Sequence, residues 1–430
     1  ANARLNIKLA DLGNISLSGS RGTPGFGSIE KKLNERSRED MTRYDVALNL
    51  NVGKLLPKKL GLEIPLYVTY GERIVDPQFN PLDPDILMNT RLNAIENTRD
   101  RDSVRNASRD YTLTRSYSLS NVRKIKTGKN PKSHFWDIEN LSFTYSFAET
   151  YQHNAQTELR LSQNYRGGIG YNFSGNPKAI EPFKSKKGKK NLITEFNFYL
   201  VPKSVSIRID GDRRYEEMKL RSTANSIPIA PTYNQNFTIN RTYNVRYDLT
   251  KNLGITFNAT NLSRVDEPRG PLDTQEKMDS LRNNIFSVGR DTAQQRYRLL
   301  NFGRTINYQH NLAVTYKLPF DKVKPLSWIN STVNYTANFS WQTAALQNTS
   351  LGNTIQNART VQANTQLNLG SLYKKVKWID KMLKPIPKKN IISKSDSSRK
   401  EKDDPYIALK KIGKELARII FSVQNIDFTY

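Results

Sequence analysis

Cysteine is absent from all 430 residues. That excludes a thiol nucleophile, a Cys-ligated zinc site and a disulfide framework. Histidine is nearly absent too. His134, His153 and His310 are scattered, and none lies four residues from another, so the spacing of a histidine-based metal site is missing. Also missing is any run approaching the ~20 apolar residues that a membrane helix needs. Mean hydropathy is −0.67 and 37% of residues are hydrophobic, so hydropathy alone would class the chain as soluble. That class does not follow, because a barrel strand shows lipid only every second side chain and leaves a weak signal. Acidic residues are outnumbered, with 40 Asp and Glu against 67 Lys and Arg, a net charge of +27. Such charge raises nucleic acid as a partner. Here it is spread through strand positions and gathers in connections such as Lys184-Ser185-Lys186-Lys187-Gly188-Lys189-Lys190. The pattern fits solvated loops and a basic lumen or rim, which would attract acidic cargo or acidic lipid heads, and nucleic acid is not expected.

What the sequence has in abundance is period two. Tyr44, Val46, Leu48, Leu50 and Val52 alternate with Asp45, Ala47, Asn49 and Asn51. Phe237, Ile239, Tyr243, Val245, Tyr247 and Leu249 alternate with Asn, Thr, Arg and Asp, and Arg241 is the one break on that apolar face. Further runs are expected over 3–10, 14–20, 62–70, 111–123, 138–151, 158–173, 192–200, 204–215, 254–265, 306–318, 333–341, 358–370 and 417–430. Globular strands have a mode of ~5–6 residues, whereas a tilted membrane strand needs ~9–11. Most runs here reach the longer figure. The non-apolar face is almost wholly Asn, Thr, Ser, Gln, Asp and Arg, which suits water on one side and lipid on the other. Tyr70, Tyr151, Phe173, Tyr215 and Trp328 are expected near strand ends, where interfacial girdles form.

Short connections include Gln152–Thr157, Val201–Lys203 and Thr250–Leu253; long ones include 21–42, 71–110, 216–235, 266–304 and 371–416. Their alternation slips between 71 and 200, so one strand there is missed or invented, with Asp85–Arg91 a candidate. Ile138-Glu139-Asn140-Leu141-Ser142-Phe143-Thr144-Tyr145 is echoed by Val423-Gln424-Asn425-Ile426-Asp427-Phe428-Thr429-Tyr430. Residues 373–383 carry helical spacing, with Val376, Ile379 and Leu383 on one face, and 405–419 suggests a second basic amphipathic helix. The domain reading is 1–370 for antiparallel barrel strands and loops, 371–416 for a helical, charged insertion, and 417–430 for the start of a further strand. The chain opens Ala1-Asn2-Ala3-Arg4 and enters a strand pattern at once, as expected of a piece of a longer protein.

No catalytic constellation emerges. Gly22, Gly25 and Gly27 match no phosphate-loop spacing, and no helical pattern follows them. Glu216-Glu217 and the pair Asp210 and Asp212 lack a nucleophile and an orienting group. The expectation is a protein that is not an enzyme, with no catalytic, cofactor-binding or metal-binding residues and no cofactor. The fold class read from the pattern is all-β, with membrane-spanning antiparallel strands forming part of the wall of a large transmembrane β-barrel.

Several strings resemble a known family. They are Thr23-Pro24-Gly25-Phe26-Gly27-Ser28-Ile29-Glu30 with Asn34-Glu35-Arg36-Ser37-Arg38-Glu39, then Asp76-Pro77-Gln78-Phe79-Asn80-Pro81-Leu82-Asp83-Pro84-Asp85 and Asp137-Ile138-Glu139-Asn140. Asn164-Tyr165-Arg166-Gly167-Gly168, Ile180-Glu181-Pro182-Phe183 and Gly352-Asn353-Thr354-Ile355-Gln356-Asn357 are similar as well. The family is the giant outer-membrane translocon of the type IX secretion system of Bacteroidota. The resemblance spans nearly the whole chain, apart from 393–402. It implies a very large single-chain barrel, of which this would be a fragment, in the cell outer membrane. It also implies export of folded cargo with a C-terminal signal domain, including gliding-motility adhesins, through a lateral opening. Shuttle and plug proteins and outer-membrane lipids would be its partners. A receptor barrel of the TonB-dependent type, taking up a small ligand, is the alternative.

Overall fold

A computed structural model describes the whole chain except residues 26–37, 128–132, 184–191, 223–227, 287–288, 292–295, 299–301, 346, 384–412, 414 and 417–418. Its body is one antiparallel sheet of 15 strands. Fourteen of them follow one another in sequence order, as an up-and-down meander. They are β1 Asn2–Leu9, β2 Gly13–Gly22, β3 Glu39–Asn51, β4 Pro65–Pro77, β5 Asp110–Lys124, β6 Leu141–His153 and β7 Thr157–Ser174, followed by β8 Ser204–Leu220, β9 Thr232–Asp248, β10 Leu253–Val265, β11 Arg304–Leu318, β12 Ile329–Gln342, β13 Thr354–Asn368 and β14 Asn425–Thr429. The fifteenth, Leu62–Glu63, pairs beside β5. The all-β, antiparallel expectation therefore holds.

From β3 to β13 the strands run 13–18 residues. At ~3.4 Å per residue these are longer than a hydrocarbon core requires of a tilted strand. Alternating β-branched and aromatic residues favour such extended, half-buried ladders. Successive strands run antiparallel, so the connections fall on two rims. Rim one carries 23–38, 78–109, 154–156, 221–231, 266–303 and 343–353; rim two carries 10–12, 52–64, 125–140, 175–203, 249–252, 319–328 and 369–424.

The slip between 71 and 200 has a physical explanation. Residues 192–200 form no strand; they make turns and one isolated bridge, Ile180 to Phe198. The alternation of Phe196 and Phe198 serves instead a cluster in which Phe196 meets Phe183 and Phe198. Asp83–Leu87 is a strand, but it pairs only with Phe79–Asn80 in a small hairpin off the wall. Helices α1 Met88–Asn93 and α2 Thr98–Ser108 complete that connection. Strand β4 continues to Pro77, which places Tyr70 in mid-strand and not at an end. The 266–303 connection contains α3 Gln275–Phe286. The helical spacing at 373–383 appears as α4 Leu369–Lys375 and α5 Lys377–Leu383. Most of the 405–419 segment lies outside the described residues; Gly413, Glu415, Leu416 and Ile419 within it are helical.

The sheet has no central core. Buried apolar residues sit in patches where connections fold onto the wall. Val75, Met88 and Leu92 are buried at rim one beside the 78–109 connection, and Tyr215, Ile239 and Val265 beneath 266–303. Phe173 and Val205 form a third patch near rim two.

Candidate functional site: the two faces of the wall

Register decides which side chains share a face, because the strand period is two. Across β1 to β4 the partners Ile7, Ile15, Leu48 and Val68 lie in one lateral row. The same row passes through Tyr117, Phe147 and Tyr165 on β5 to β7. On β10 to β13, Ile255, Val314, Tyr335 and Val361 form another. This face is mostly apolar toward the middle of the long strands, and much of it is uncovered. Ile169 is 56% exposed, Val361 50% and Tyr117 46%.

The opposite face is built of amides and hydroxyls. One lateral row joins Asn172, Ser206, Asn244, Asn258, Asn311 and Asn338 on six adjacent strands, β7 to β12. Ser206 Oγ donates to Asn172 Oδ1 at 2.6 Å, and Asn311 Nδ2 donates to Asn338 Oδ1 at 2.7 Å. The next row brings Arg208, Thr242, Thr260, Gln309, Ser340 and Gln356 together. A cavity of about 470 Å³ opens over this face, lined by Asn258, Thr260, Gln309, Asn311, Asn338 and Gln356. Sequence inspection finds the composition of this face but not the ladder, because lateral neighbours are set by pairing.

Charge on the polar face is held in pairs. Arg166 meets Asp212 at 2.7 Å and Arg160 meets Glu216 at 3.1 Å across strands, and Arg208 meets Asp210 at 2.6 Å along β8. Asp210, Asp212 and Glu216 are thus each neutralised by arginine, while Glu217 lies on the apolar face and accepts from the Tyr215 hydroxyl at 2.8 Å. The pairs orient the arginine forks but bring no nucleophile to the carboxylates.

The apolar face is not apolar throughout. Toward rim one it carries a polar belt. Glu72 accepts from the hydroxyls of Tyr44 and Tyr70. Arg115 meets Glu149 at 2.7 Å, and Gln163 donates to the same carboxylate at 2.7 Å. Arg213 pairs with Glu267 at 2.6 Å and lies over the rings of Tyr165 and Tyr215. Arg241, the break in the β9 pattern, donates to Asn261 at 2.8 Å and Ser263 at 3.0 Å, and Phe302 covers its guanidinium. Glu267 and Phe302 both belong to the 266–303 connection, which is thereby latched onto the wall.

The histidines stay apart. His134 stacks on Trp136, His153 on Tyr111, and His310 on Phe339. No three His, Cys, Asp or Glu side chains among the described residues converge to hold a metal ion. Gly22 ends β2 and Gly25 turns the chain with φ +82°, while Gly27 lies outside the described residues, as does the lysine run 184–190. No helix among the described residues is long and apolar enough to cross a membrane, which leaves crossing by strands untouched.

At rim two, connections pack against the ends of the strands. Lys126 pairs with Asp137, and Asp137 also accepts from the His134 backbone N–H at 2.7 Å. The Asp137 carboxyl is held below the usual aspartate range, first by that backbone donor and then by Lys126. Asn140 donates to the His134 carbonyl at 2.9 Å, so the turn is tied down twice.

Residues 1–92 match the model of a family described as a motility related/secretion protein, SprA_N. The match covers β1 to β4 and reaches into α1. No curated protein matches the chain.

Proposed function

We propose that this chain, SprA-related over residues 1–92, forms part of the wall of a protein-conducting channel in a bacterial outer membrane. The channel exports folded cargo that carries a C-terminal signal domain, with gliding adhesins among it. One observation carries the reading: an unbroken fourteen-strand meander with one exposed apolar face and one amide face. In water, an apolar surface of that breadth would drive association. Against lipid it is matched, while the amide face meets a water-filled lumen. An Asn, Thr and Ser surface whose carboxylates Asp210, Asp212 and Glu216 are paired with arginine offers passing proteins no greasy patch to cling to.

The wall is passive in this reading, not an enzyme, and energy comes from elsewhere. Shuttle and plug proteins would occupy the opening in turn. The test is site-specific crosslinking in secreting cells. Cysteine placed at Asn338 is expected to crosslink to a cargo stalled in export, and cysteine at Val361 is not. Equal crosslinking from both faces, or none from any polar-face position, would sink the channel reading. A small-ligand receptor of the TonB-dependent type draws support only from the amide-lined cavity. It would show as saturable uptake of a small solute that Asn258→Leu abolishes.

A further inference from the structure

The two rims differ in their cations. Among the described residues, lysine reaches rim one only at Lys219 and Lys277. Arginine dominates there, locked to carboxylates, as in Arg109 with Asp76 at 2.7 Å and Arg73 with Asp110 at 2.9 Å. All other described lysines lie at rim two, from Lys8 on β1 to Lys377 on α5. Lys58, Lys59, Lys178, Lys324 and Lys377, all on connections, are exposed and pair with no carboxylate among the described residues. Arginine's rigid fork suits a fixed partner, whereas lysine is a compact charge on a flexible stem.

A second difference accompanies the first. Rim one exposes Leu351 at 80% and Leu82 at 62% but no tryptophan among the described residues, whereas rim two displays Trp136 at 81% and Trp378 at 58% beside Ile193 at 71%, Leu200 at 70% and Leu55 at 66%. They project from connections that fold onto the apolar face. Phe135 sits edge-on to Tyr171 and Phe173, and Tyr247 donates to the Tyr199 carbonyl at 2.7 Å. The turn bearing Trp136 is tied by Lys126, Asp137 and Asn140, so the indole is presented by a fixed support.

We infer that rim two is a collar seated in one leaflet of the bilayer, with its lysines on the phosphates of anionic phospholipids and its Trp, Leu and Ile at the acyl boundary. This rests on the wall reading above. Lysine beside interfacial tryptophan is the chemistry of a headgroup layer, because the stem snorkels while the amine reaches phosphate. The distribution favours lipid over an acidic protein. The lysines are strung along every part of the rim from β1 to α5 and do not gather in one compact patch, and the apolar residues beside them fold toward the lipid side. Tight turns occur at both rims, 10–12 and 249–252 at rim two and 154–156 at rim one, so the distribution of lysine and tryptophan, not turn length, carries the assignment to phospholipid.

The test uses the full-length protein in detergent. Wild type and the variant Lys58→Gln/Lys59→Gln/Lys324→Gln/Lys377→Gln are mixed with phosphatidylcholine alone or with added phosphatidylglycerol, and retained lipid is read by native mass spectrometry. Wild type is expected to retain phosphatidylglycerol selectively, and less so at high salt. The variant should lose about tenfold or more of that selectivity, since each lysine near an anionic surface adds to it. The corresponding Lys→Arg set keeps the charge and should keep the selectivity. Equal retention by wild type and the Gln variant overturns the inference. So does a lysine-dependent acidic protein that co-purifies while lipid selectivity is unchanged. Failure of the protein to enter any membrane would instead overturn the wall reading, so the two failures are distinguishable.

Discussion

Arg115 and Glu149 face each other across β5 and β6, 2.7 Å apart, in the row that also holds Tyr70 and Gln163 on the apolar face. Glu149 is 7% exposed and Arg115 43%. Removing one partner of a buried pair leaves the other uncompensated, whereas removing both is far milder. Arg115→Leu, which strands the buried Glu149 carboxylate, is expected to cost about 3 kcal/mol, Glu149→Leu less, and the double change less than Arg115→Leu alone. Urea titration of the protein refolded into vesicles measures this. Additive costs would show that the two residues act independently.

The assignment of faces is tested on a single residue step. Leu48 lies between Ile15 and Val68 on the apolar face, and Asn49 lies on the other. Leu48→Arg is expected to cost about 2–4 kcal/mol if the site meets mid-bilayer lipid, and Asn49→Arg close to nothing. Equal tolerance would reverse the assignment.

Absence of cysteine makes labelling direct. Asn311→Cys should react with a membrane-impermeant maleimide added from the aqueous side, while Leu312→Cys, one residue on, should not. Reaction at Leu312 alone would place water on the wrong side of the wall.

The latch of the 266–303 connection depends on backbone at its end. Gly303 has φ +76°, and a Cβ there would lie 2.5 Å from the Arg264 carbonyl oxygen. Gly303→Ala is expected to destabilise the docked connection by about 1–2 kcal/mol. Faster proteolysis between 266 and 303, with the strands intact, is the signature. Unchanged cleavage kinetics would mean that the latch does not rely on this turn.

Acid should loosen the Trp136 turn. Asp137 has a depressed pKa in the folded state, so its contribution is present above the ordinary aspartate range and is lost as pH falls below it, through the folded value. Fluorescence anisotropy of a variant keeping Trp136 as its sole indole should drop on acidification to about pH 3. In Asp137→Asn that drop should vanish. Its persistence there would assign the transition to another group.

Much of the wall was legible in the sequence. Period two and strand length located thirteen of the fourteen meander strands, most within a few residues, although β4 runs seven residues past its expected end, β8 runs five past its own and β9 starts five residues early; the last, β14, lies inside a longer run. The echo at 138–145 and 423–430 marks strand starts, since Leu141 opens β6 and Ile426 lies at the start of β14. The exception, 192–200, shows why pattern alone fails. Phe196 and Phe198 alternate because the Phe196 ring packs with both Phe183 and Phe198, not because a ladder holds them. The asparagine ladder and the polar belt were beyond reach, because both run across strands and exist only through register. The segregation of lysine from arginine was written in the sequence throughout, but it has meaning only once each connection is assigned to a rim.

The meander also has a kinetic consequence. Each strand's neighbours on the wall are the ones made just before and just after it. Closing such contacts spans short lengths of chain, which keeps the entropic barrier to each addition low. A growing wall can therefore add one strand at a time to a single advancing edge. At any moment unpaired backbone groups are confined to two edges, the advancing one and the outer side of β1, which is the least exposure an open sheet entering a hydrocarbon layer can have.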